Sequence, residues 1–158
     1  MGEESQAEFM RRAIRLSSDN VRRAGGPFGA VIVKGGQVVG EGCNRVTATH
    51  DPTAHAEIVA IRDACRRLST FDLSGAEIYT SCEPCPMCLA AIYWARLERI
   101  HFANTKEDAA AVDFDDHFIY EEIGRDPADR AIPRNQLLRD EAIKAFEDWT
   151  AHAGRIRY

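Results

Sequence analysis

The spacing of apolar and polar residues near the start of the chain changes from the period of a helix to that of a strand. An apolar stripe with a period near 3.6 residues predicts a helix over residues 3–24, which ends at a Gly-Gly-Pro sequence. Two β-rich runs, residues 28–33 and 37–40, are separated by Gly35 and Gly36. Because glycine readily adopts the positive φ angles of a tight turn, the two runs are predicted to form a hairpin.

A second helical pattern begins at Asp51-Pro52-Thr53, a sequence typical of a helix start. A helix with one apolar face covers a sheet or a second helix, so we expect this one to contribute to the core. Its apolar residues alternate by four and three positions, which predicts a single buried face made of Ala54, Ile58, Ile61, Cys65 and Leu68.

The remaining segments continue an alternation of helices and strands. Residues 113–124 have no clear period and are left unassigned, and the charges and two prolines of residues 125–136 indicate a connection. The order α-β-β-α-β-α-β-α with a helical tail predicts a sheet covered by helices on both faces. The predicted elements are a strand at 76–81, a helix from Pro84 to Ala95, a strand at 99–103, and helices at 106–112 and 139–153.

The size and composition of the chain are those of an ordinary globular domain. A length of 158 residues favours one domain with a full hydrophobic core. The contents of 45% hydrophobic and 28% charged residues exclude a disordered or fibrous chain. No apolar run approaches the roughly 20 residues of a membrane span. The acidic start also lacks the features of a signal peptide, so we expect a cytoplasmic protein with no membrane partner.

Charge and cysteine content narrow the kind of partner. The 20 basic and 25 acidic residues give a formal net charge of −5, which disfavours a nucleic-acid partner because such affinity comes from clustered basic groups. A small-molecule partner is therefore expected. The five cysteines are an odd number, which favours reduced thiols over a disulfide framework. Cys82, Cys85 and Cys88 lie close together in the sequence, and this clustering indicates a metal site.

Two short motifs supply the parts of a catalytic zinc site. The first is His55-Ala56-Glu57, and the second is Pro84-Cys85-Pro86-Met87-Cys88. Cys85 and Cys88 are three residues apart on a predicted helix, so their sulfur atoms lie on one face and can bind a single ion. Pro84 places both cysteines in the first helical turn, where the helix dipole and the unpaired backbone N–H groups favour the thiolate form.

His55 and Glu57 can converge only at the entry of a helix, because residues two apart on a regular helix point in nearly opposite directions. Asp51-Pro52-Thr53 places that entry here. We therefore predict that His55 is a third metal ligand. Glu57 is predicted to stand beside a fourth, open position, where it can accept a proton from a bound water.

Cys82 offers an alternative, structural type of zinc site. Together with His55, Cys85 and Cys88 it would complete a closed set of three cysteines and one histidine, with no position open for chemistry. Pro84 separates Cys82 from the predicted helix, and the strand that ends there is expected to direct its side chain elsewhere. The two hypotheses differ in the number of sulfur ligands, two for the catalytic site and three for the closed one.

The combination of H-x-E with P-C-x-x-C matches the signature of zinc nucleobase deaminases, and the chain resembles this superfamily. The resemblance covers nearly the whole chain and is closest to bacterial guanine deaminases of the cytidine deaminase-like fold. It implies a three-layer α/β/α sandwich with a mixed five-stranded sheet, in one zinc-dependent deaminase domain over residues 1–158. The segments that carry it are residues 26–33, 51–57, 80–88 and 92–96, Phe114-Asp115-Asp116 and Tyr158.

The resemblance also implies a reaction. One zinc ion per subunit would bind to His55, Cys85 and Cys88, and zinc-bound hydroxide would attack the guanine carbon that carries the exocyclic amine. The products would be xanthine and ammonia. Glu57 would take a proton from the water, protonate the neighbouring ring nitrogen and then protonate the leaving amine.

By the same resemblance, four residues form the base pocket. Phe28 would stack on the purine, Asn44 and the backbone of Ala54 would hydrogen-bond it, and Trp94 would form a wall. Without the resemblance, Phe28 and Trp94 would be assigned to the core, because aromatic residues dominate cores as well.

Two further positions narrow the resemblance to guanine. Asp116 matches a carboxylate that binds the N–H edge of guanine, an edge that cytosine and adenine do not present. Tyr158 matches a C-terminal aromatic residue that closes the pocket. In relatives of this type the C-terminal segment, about residues 125–158, is exchanged between two subunits, so a domain-swapped homodimer is implied.

Three other functions remain open from the sequence. A tRNA adenosine deaminase shares the zinc motifs, but it should carry a basic stripe, and the predicted last helix is rich in acids. A deaminase of a free nucleoside such as guanosine or cytidine is a further alternative, because a sugar-sized extension of the pocket is not visible in a sequence. The non-enzyme alternative is the structural zinc module that Cys82 would complete.

Overall fold

A mixed four-stranded sheet with the strand order β2-β1-β3-β4 organises the first of two compact units, Met1–Asp116 and His117–Tyr158. The structure is a computed structural model that describes residues 3–158. The first unit contains α1 (Glu3–Arg22), β1 (Gly29–Lys34), β2 (Gln37–Cys43), α2 (Val46–Thr49), α3 (Ala56–Leu68), β3 (Ala76–Cys82), α4 (Pro86–Trp94), β4 (Arg99–Asn104) and α5 (Lys106–Ala110). The second contains α6 (His117–Gly124) and α7 (Arg139–Ala151).

Strand β1 lies inside the sheet and pairs antiparallel with both β2 and β3, whereas β4 runs parallel to β3. Alternate residues of β1 face opposite sides. Ala30 and Ile32 belong to a core cluster with α3 and α4, and Val31 and Val33 belong to a second cluster with α1. Both faces of the sheet are therefore covered by helices, which confirms the α/β/α sandwich.

The prediction of five strands is wrong for the described residues, because the sheet has four. The four strands that the apolar pattern predicted are all present, and the fifth was implied only by resemblance. After β4 the chain forms helices α5 and α6 instead. Residues 125–138, which contain Pro127 and Pro133, pair with no strand. Proline lacks the N–H that a ladder needs, so this segment is poorly suited to enter a sheet.

Helix α3 buries a different face from the one predicted. Its fully buried alanines are Ala56, Ala60 and Ala64, while Leu68 is exposed. The reason lies in strand β2, where a Cβ added to Gly42 would come within 2.2 Å of the Ala56 carbonyl oxygen. Small residues on both elements allow their backbones to approach closely, so the alanine face packs on the sheet and the larger apolar residues lie at its margins.

The second unit contains only short helices and irregular chain. Helix α6 occupies most of the segment that the pattern left unassigned. The Arg130 guanidinium donates hydrogen bonds to the carbonyls of Ile123 and Arg125 at 3.1 and 3.4 Å. These bonds hold the segment around Arg130 against the C-terminal end of α6. Among the described residues, no helix is both long and apolar enough to cross a lipid bilayer.

We predict that Gly42→Ala lowers the free energy of unfolding by about 2–3 kcal/mol, because the new methyl group overpacks the contact between α3 and β2. Gly124→Ala is the control: an added Cβ there meets nothing within 4 Å, so we expect no loss of stability. Urea denaturation of both variants measures the difference. Equal stability of the two variants would contradict the close approach at Gly42.

Candidate active site

Three potential metal ligands meet where helices α3 and α4 begin. His55 is the N-cap residue of α3, Cys85 is the N-cap residue of α4, and Cys88 lies in the first turn of α4. The Nδ1 atom of His55 lies 3.5 Å from the Sγ atom of Cys85 and 3.5 Å from that of Cys88. The three ligand atoms all lie within 4.8 Å of one another, so they can share one ion.

These distances fit a zinc ion. Zinc bonds of about 2.3 Å to sulfur and about 2.0–2.1 Å to nitrogen, at tetrahedral angles, place the two ligand atoms about 3.5 Å apart. Both N···S distances in the group have that value. Two thiolates with one imidazole are a typical zinc donor set, and three protein ligands leave one tetrahedral position for water or substrate.

The start of helix α4 differs slightly from the prediction. Pro86, not Pro84, occupies the first helical position, so Cys85 precedes the helix with an extended backbone and only Cys88 is helical. Proline is favoured at that position because its missing N–H would have no intrahelical partner. Both sulfur atoms still lie at the positive end of the helix dipole, which stabilises thiolates.

The three candidate ligands are joined by hydrogen bonds that shift one another's pKa. Hydrogen bonds from the Cys88 thiol and from the His55 ring lower the pKa of the Cys85 thiol to about 4. Its partners show the opposite effect, since bonding to Cys85 raises the pKa of both Cys88 and His55. A site that already favours one thiolate is prepared for a divalent cation, because metal ligands must be deprotonated.

Glu57 lies beside this group and is only 7% exposed. Burial raises the pKa of its carboxyl group to about 6, and the charge of Cys85 also raises it. His55 has extended backbone angles while Glu57 is in the first turn of α3, so two residues that would diverge on a regular helix interact with the same sulfur atoms. A carboxyl group with a pKa near neutrality can both accept and donate a proton.

Cys82 is directed away from the ligand group. Its thiol donates a hydrogen bond to the carbonyl of Thr105 at 3.4 Å, and burial raises its pKa to about 11. Among the described residues, the group that could hold a metal contains His55, Cys85 and Cys88 but not Cys82. This geometry does not supply the third sulfur ligand that a closed structural site would need.

Three of the residues expected to form the base pocket, Phe28, Asn44 and Ala54, lie on loops of the first unit that are joined by hydrogen bonds. The Asn44 N–H donates to the Phe28 carbonyl at 3.1 Å, and the Arg45 N–H donates to the Ala54 carbonyl at 2.9 Å. The Asn44 side-chain oxygen accepts a bond from the Val46 N–H at 3.2 Å. This bond orients the amide, whose NH₂ group carries its two donor hydrogens.

Asp116 is affected by the charge of one candidate metal ligand. Burial and, after it, the negative charge of Cys85 raise the pKa of the Asp116 carboxyl group. Trp94 is the last residue of α4 and is 69% exposed, so it is not a core residue of this chain. Tyr158 belongs to the second unit and is 75% exposed.

Sequence reasoning missed two residues that support the pocket. Phe114 packs edge-on against Phe28, with ring centroids 4.9 Å apart and an interplanar angle of 89°. The buried Ser81 hydroxyl accepts a hydrogen bond from the Gly29 N–H at 3.0 Å, next to Phe28. Phe114 lies in a segment without periodicity, and Ser81 is an ordinary strand residue, so neither gave a pattern from which its partner could be predicted.

Comparison with known families identifies this arrangement. The family model described as the cytidine and deoxycytidylate deaminase zinc-binding region matches residues 3–104. That range includes all three candidate ligands and Glu57.

Individual relatives extend the similarity beyond that range. The guanine deaminase of Bacillus subtilis (strain 168) is 48% identical over 151 residues, which cover 95% of this chain and 97% of the relative. A crystal structure of guanine deaminase from Bacillus subtilis matches with a TM-score of 0.93 and 47% identity, covering 100% of this chain and 99% of that one. The tRNA-specific adenosine deaminase of Aquifex aeolicus (strain VF5) is 42% identical over 95 residues, which cover 60% of this chain and 63% of the relative.

We predict that Cys85→Ser and Cys88→Ser each lose bound zinc, because a hydroxyl is a far weaker zinc ligand than a thiolate. Cys82→Ser is the matched control and should retain the metal. Zinc per chain, measured by elemental analysis after exhaustive dialysis, separates the variants. Loss of zinc from Cys82→Ser equal to that from Cys85→Ser would instead support the closed site with three sulfur ligands.

Proposed function

We propose that this chain, which belongs to the cytidine and deoxycytidylate deaminase zinc-binding family, hydrolyses guanine to xanthine and ammonia. One observation carries the choice of guanine: the guanine deaminase relative matches this chain over 95% of its length, including residues beyond the zinc-binding region. The match to the tRNA-specific adenosine deaminase covers 60%. The substrate assignment therefore rests on the whole chain, whereas the zinc motifs support only the general chemistry.

In this proposal His55, Cys85 and Cys88 hold one zinc ion. Zinc supplies, when bound, the activation of the water that serves as nucleophile. The two thiolates balance the charge of the ion and the neutral imidazole adds none. Both cysteines lie at the N-terminus of α4, where the backbone N–H groups and the helix dipole stabilise the negative sulfur atoms.

Glu57 carries the proton transfers. Its carboxylate accepts a proton from the attacking water and gives it to the ring nitrogen next to the attacked carbon. It then takes the second proton from the oxygen now bonded to that carbon and passes it to the departing amine, so that the C–N bond breaks, ammonia leaves and the carbonyl of xanthine forms. The burial that raises its pKa to about 6 brings the acid and base forms close in free energy near neutral pH. A single group can therefore serve in both directions without a large cost in either.

Four groups would recognise the base. The Phe28 ring stacks on the purine, and the Asn44 amide and the Ala54 backbone form hydrogen bonds with its edges. Asp116 accepts hydrogen bonds from the N–H groups that guanine presents and that adenine and cytosine do not. Support for this set comes from the hydrogen bonds that join the loops of Phe28, Asn44 and Ala54, and from the effect of Cys85 on the pKa of Asp116.

Deamination of adenosine in tRNA is less well supported. A tRNA-binding surface needs clustered basic residues. Helix α7 instead carries Asp140, Glu141, Glu147 and Asp148 against Arg139 and Lys144. Guanosine differs from guanine only by a sugar on one ring nitrogen, so the choice between base and nucleoside is an outcome of the substrate test.

We predict zinc-dependent ammonia release from guanine by the wild-type protein, and none above background from guanosine, adenine, cytosine or cytidine. Glu57→Gln should retain one zinc per chain but lose at least about 10³-fold in kcat, because the amide cannot take up or deliver the protons. Ammonia release, measured with a coupled assay on all five compounds, checks both expectations.

A zinc-stripped sample, with and without zinc restored, is the control for that assay. Release from a nucleoside alone would overturn guanine as the substrate while leaving the chemistry in place. Unchanged turnover by Glu57→Gln would overturn the role of Glu57. No release from any compound, combined with tight salt-sensitive tRNA binding, would replace guanine by tRNA adenosine.

The proposed assembly is a homodimer in which the C-terminal segment, about residues 125–158, is exchanged and Tyr158 closes the pocket of the other copy. The second unit supports this proposal, because none of its residues is buried. Many of its large apolar side chains face outward, and such a surface needs a partner. They include Phe118, Ile123, Ile132, Leu137, Leu138, Phe146, Trp149, Ile156 and Tyr158.

A complementation experiment tests the exchange. Deletion of Tyr158 and Glu57→Gln are each expected to be inactive, but in a mixed swapped dimer one site combines an intact Glu57 with an intact Tyr158. Random mixing of equal amounts should restore about a quarter of wild-type activity, since half the dimers are mixed and each has one complete site. Unfolding the two variants, refolding them together in equal amounts with zinc and assaying ammonia release provides the measurement.

No recovery in the mixed sample would contradict the exchange, and full activity of the Tyr158 deletion alone would exclude Tyr158 from the pocket. Refolding each variant by itself is the control.

We also propose a cytoplasmic location, supported by the free state of the five cysteines and by the thiolates that the zinc site requires.

A further inference from the structure

Asn20, near the end of helix α1, makes two hydrogen bonds to the loops of the proposed base pocket. Its side-chain Nδ2 group donates to the Gly26 carbonyl at 2.8 Å and to the Asn44 carbonyl at 2.8 Å. An amide NH₂ has two hydrogens, so both are used. The first acceptor is six residues away in the sequence and the second is 24. The side chain therefore joins two separate loops rather than completing its own helix.

Both residues that accept a bond from Asn20, Gly26 and Asn44, are also hydrogen-bonded to Phe28. The Phe28 N–H donates to the same Gly26 carbonyl at 2.9 Å, and the Asn44 N–H donates to the Phe28 carbonyl at 3.1 Å. Asn20, Gly26, Phe28 and Asn44 thus form a closed ring of hydrogen bonds. A side chain that is bonded at two points of such a ring holds the distance between Phe28 and Asn44.

The space around the Asn20 side chain is also closely filled. A Cβ added to Gly25 would come within 2.4 Å of Asn20 Nδ2, and one added to Gly26 would come within 3.2 Å of the Asn44 side chain. Asn20 accepts the Gly25 N–H on its own backbone carbonyl at 2.9 Å, so the chain folds tightly over the amide. Gly25 therefore makes room for the Asn20 side chain, and Gly26 makes room for the Asn44 side chain.

We infer that Asn20 is a positioning residue for the purine, which sets Phe28 and Asn44 at the separation that the base requires. The inference rests on the proposed function. It predicts a specific kinetic result, because Asn20 bonds to the binding loops and has no bond to His55, Glu57, Cys85 or Cys88. Loss of the side-chain amide should weaken binding of the base and leave the chemical step largely intact.

The test uses the full-length protein with Asn20→Ala and Asn20→Asp. Asn20→Ala removes both donors, and Asn20→Asp keeps the shape but places a carboxylate oxygen against two carbonyl oxygens. We expect each to raise KM for guanine about tenfold or more and to change kcat less than about threefold, with one zinc per chain retained. Asp19→Ala, which removes only an exposed ion pair with Arg22 on the same helix, is the matched control and should leave both constants unchanged.

A second measurement does not depend on activity. Hydrogen exchange followed by NMR should show faster exchange of the Asn44 amide in Asn20→Ala than in Asp19→Ala, because the loop loses an anchor. If wild-type protein does not act on guanine, the proposed function fails, and the exchange rates still decide whether Asn20 holds the loop. An unchanged KM with an unchanged Asn44 exchange rate would overturn the inference, as would a fall in kcat without a rise in KM.

If Asn20→Ala does not yield folded protein, Asn20→Ser takes its place. Its hydroxyl can donate one bond, so the expected rise in KM is smaller than for a variant with no donor. A folded Asn20→Ser protein with wild-type KM would count against the positioning role.

Discussion

The close approach of helix α3 to strand β2 is the constraint on which the site depends. Gly42 has no Cβ, and the Ala56 carbonyl occupies the space that a side chain would need. That contact sets how closely the start of α3 approaches the sheet, and His55 and Glu57 lie at this start. A larger residue at the contact requires α3 or β2 to shift, and the start of α3 carries His55 and Glu57.

The sheet places the second half of the metal site. Strand β3 ends at Cys82, the chain turns through two residues, and α4 begins just after Cys85. Strands β2 and β3 both run antiparallel to β1, so they point the same way, and the helices that follow them, α3 and α4, start at the same edge of the sheet. The N-terminal ends of α3 and α4 consequently meet, and their dipoles favour the anionic sulfur atoms between them.

The residues proposed for chemistry and those proposed for recognition lie in different parts of the first unit. Helices α3 and α4 begin at the candidate ligands and the proposed proton carrier, whereas the loops after α1 and β2 contain Phe28 and Asn44. One backbone hydrogen bond, from Arg45 to Ala54, joins the two parts at the entry of α3. This division is the reason that a change in the recognition loops is expected to affect binding more than turnover.

The sequence by itself determined the class of chemistry, because H-x-E and P-C-x-x-C combine residue types and spacings that few structural roles require. It also determined the four strands, whose alternation is a local property. It did not determine which face of α3 is buried, because the advantage of Ala56 over the larger Ile58 exists only opposite the glycines of β2. Nor did it identify the partners of Asn20, Ser81 and Phe114.

Those contacts join residues far apart in the chain, and a period in the sequence reports only the average environment of one element. The prediction of a fifth strand is wrong for a related reason. The resemblance implied a sheet of five strands, but it did not show whether a segment with two prolines pairs with that sheet. Residue types with an unusual chemical capacity were thus visible in the sequence. Ordinary residues acquired their roles only when tertiary packing placed a donor opposite an acceptor, or a methyl group opposite a glycine.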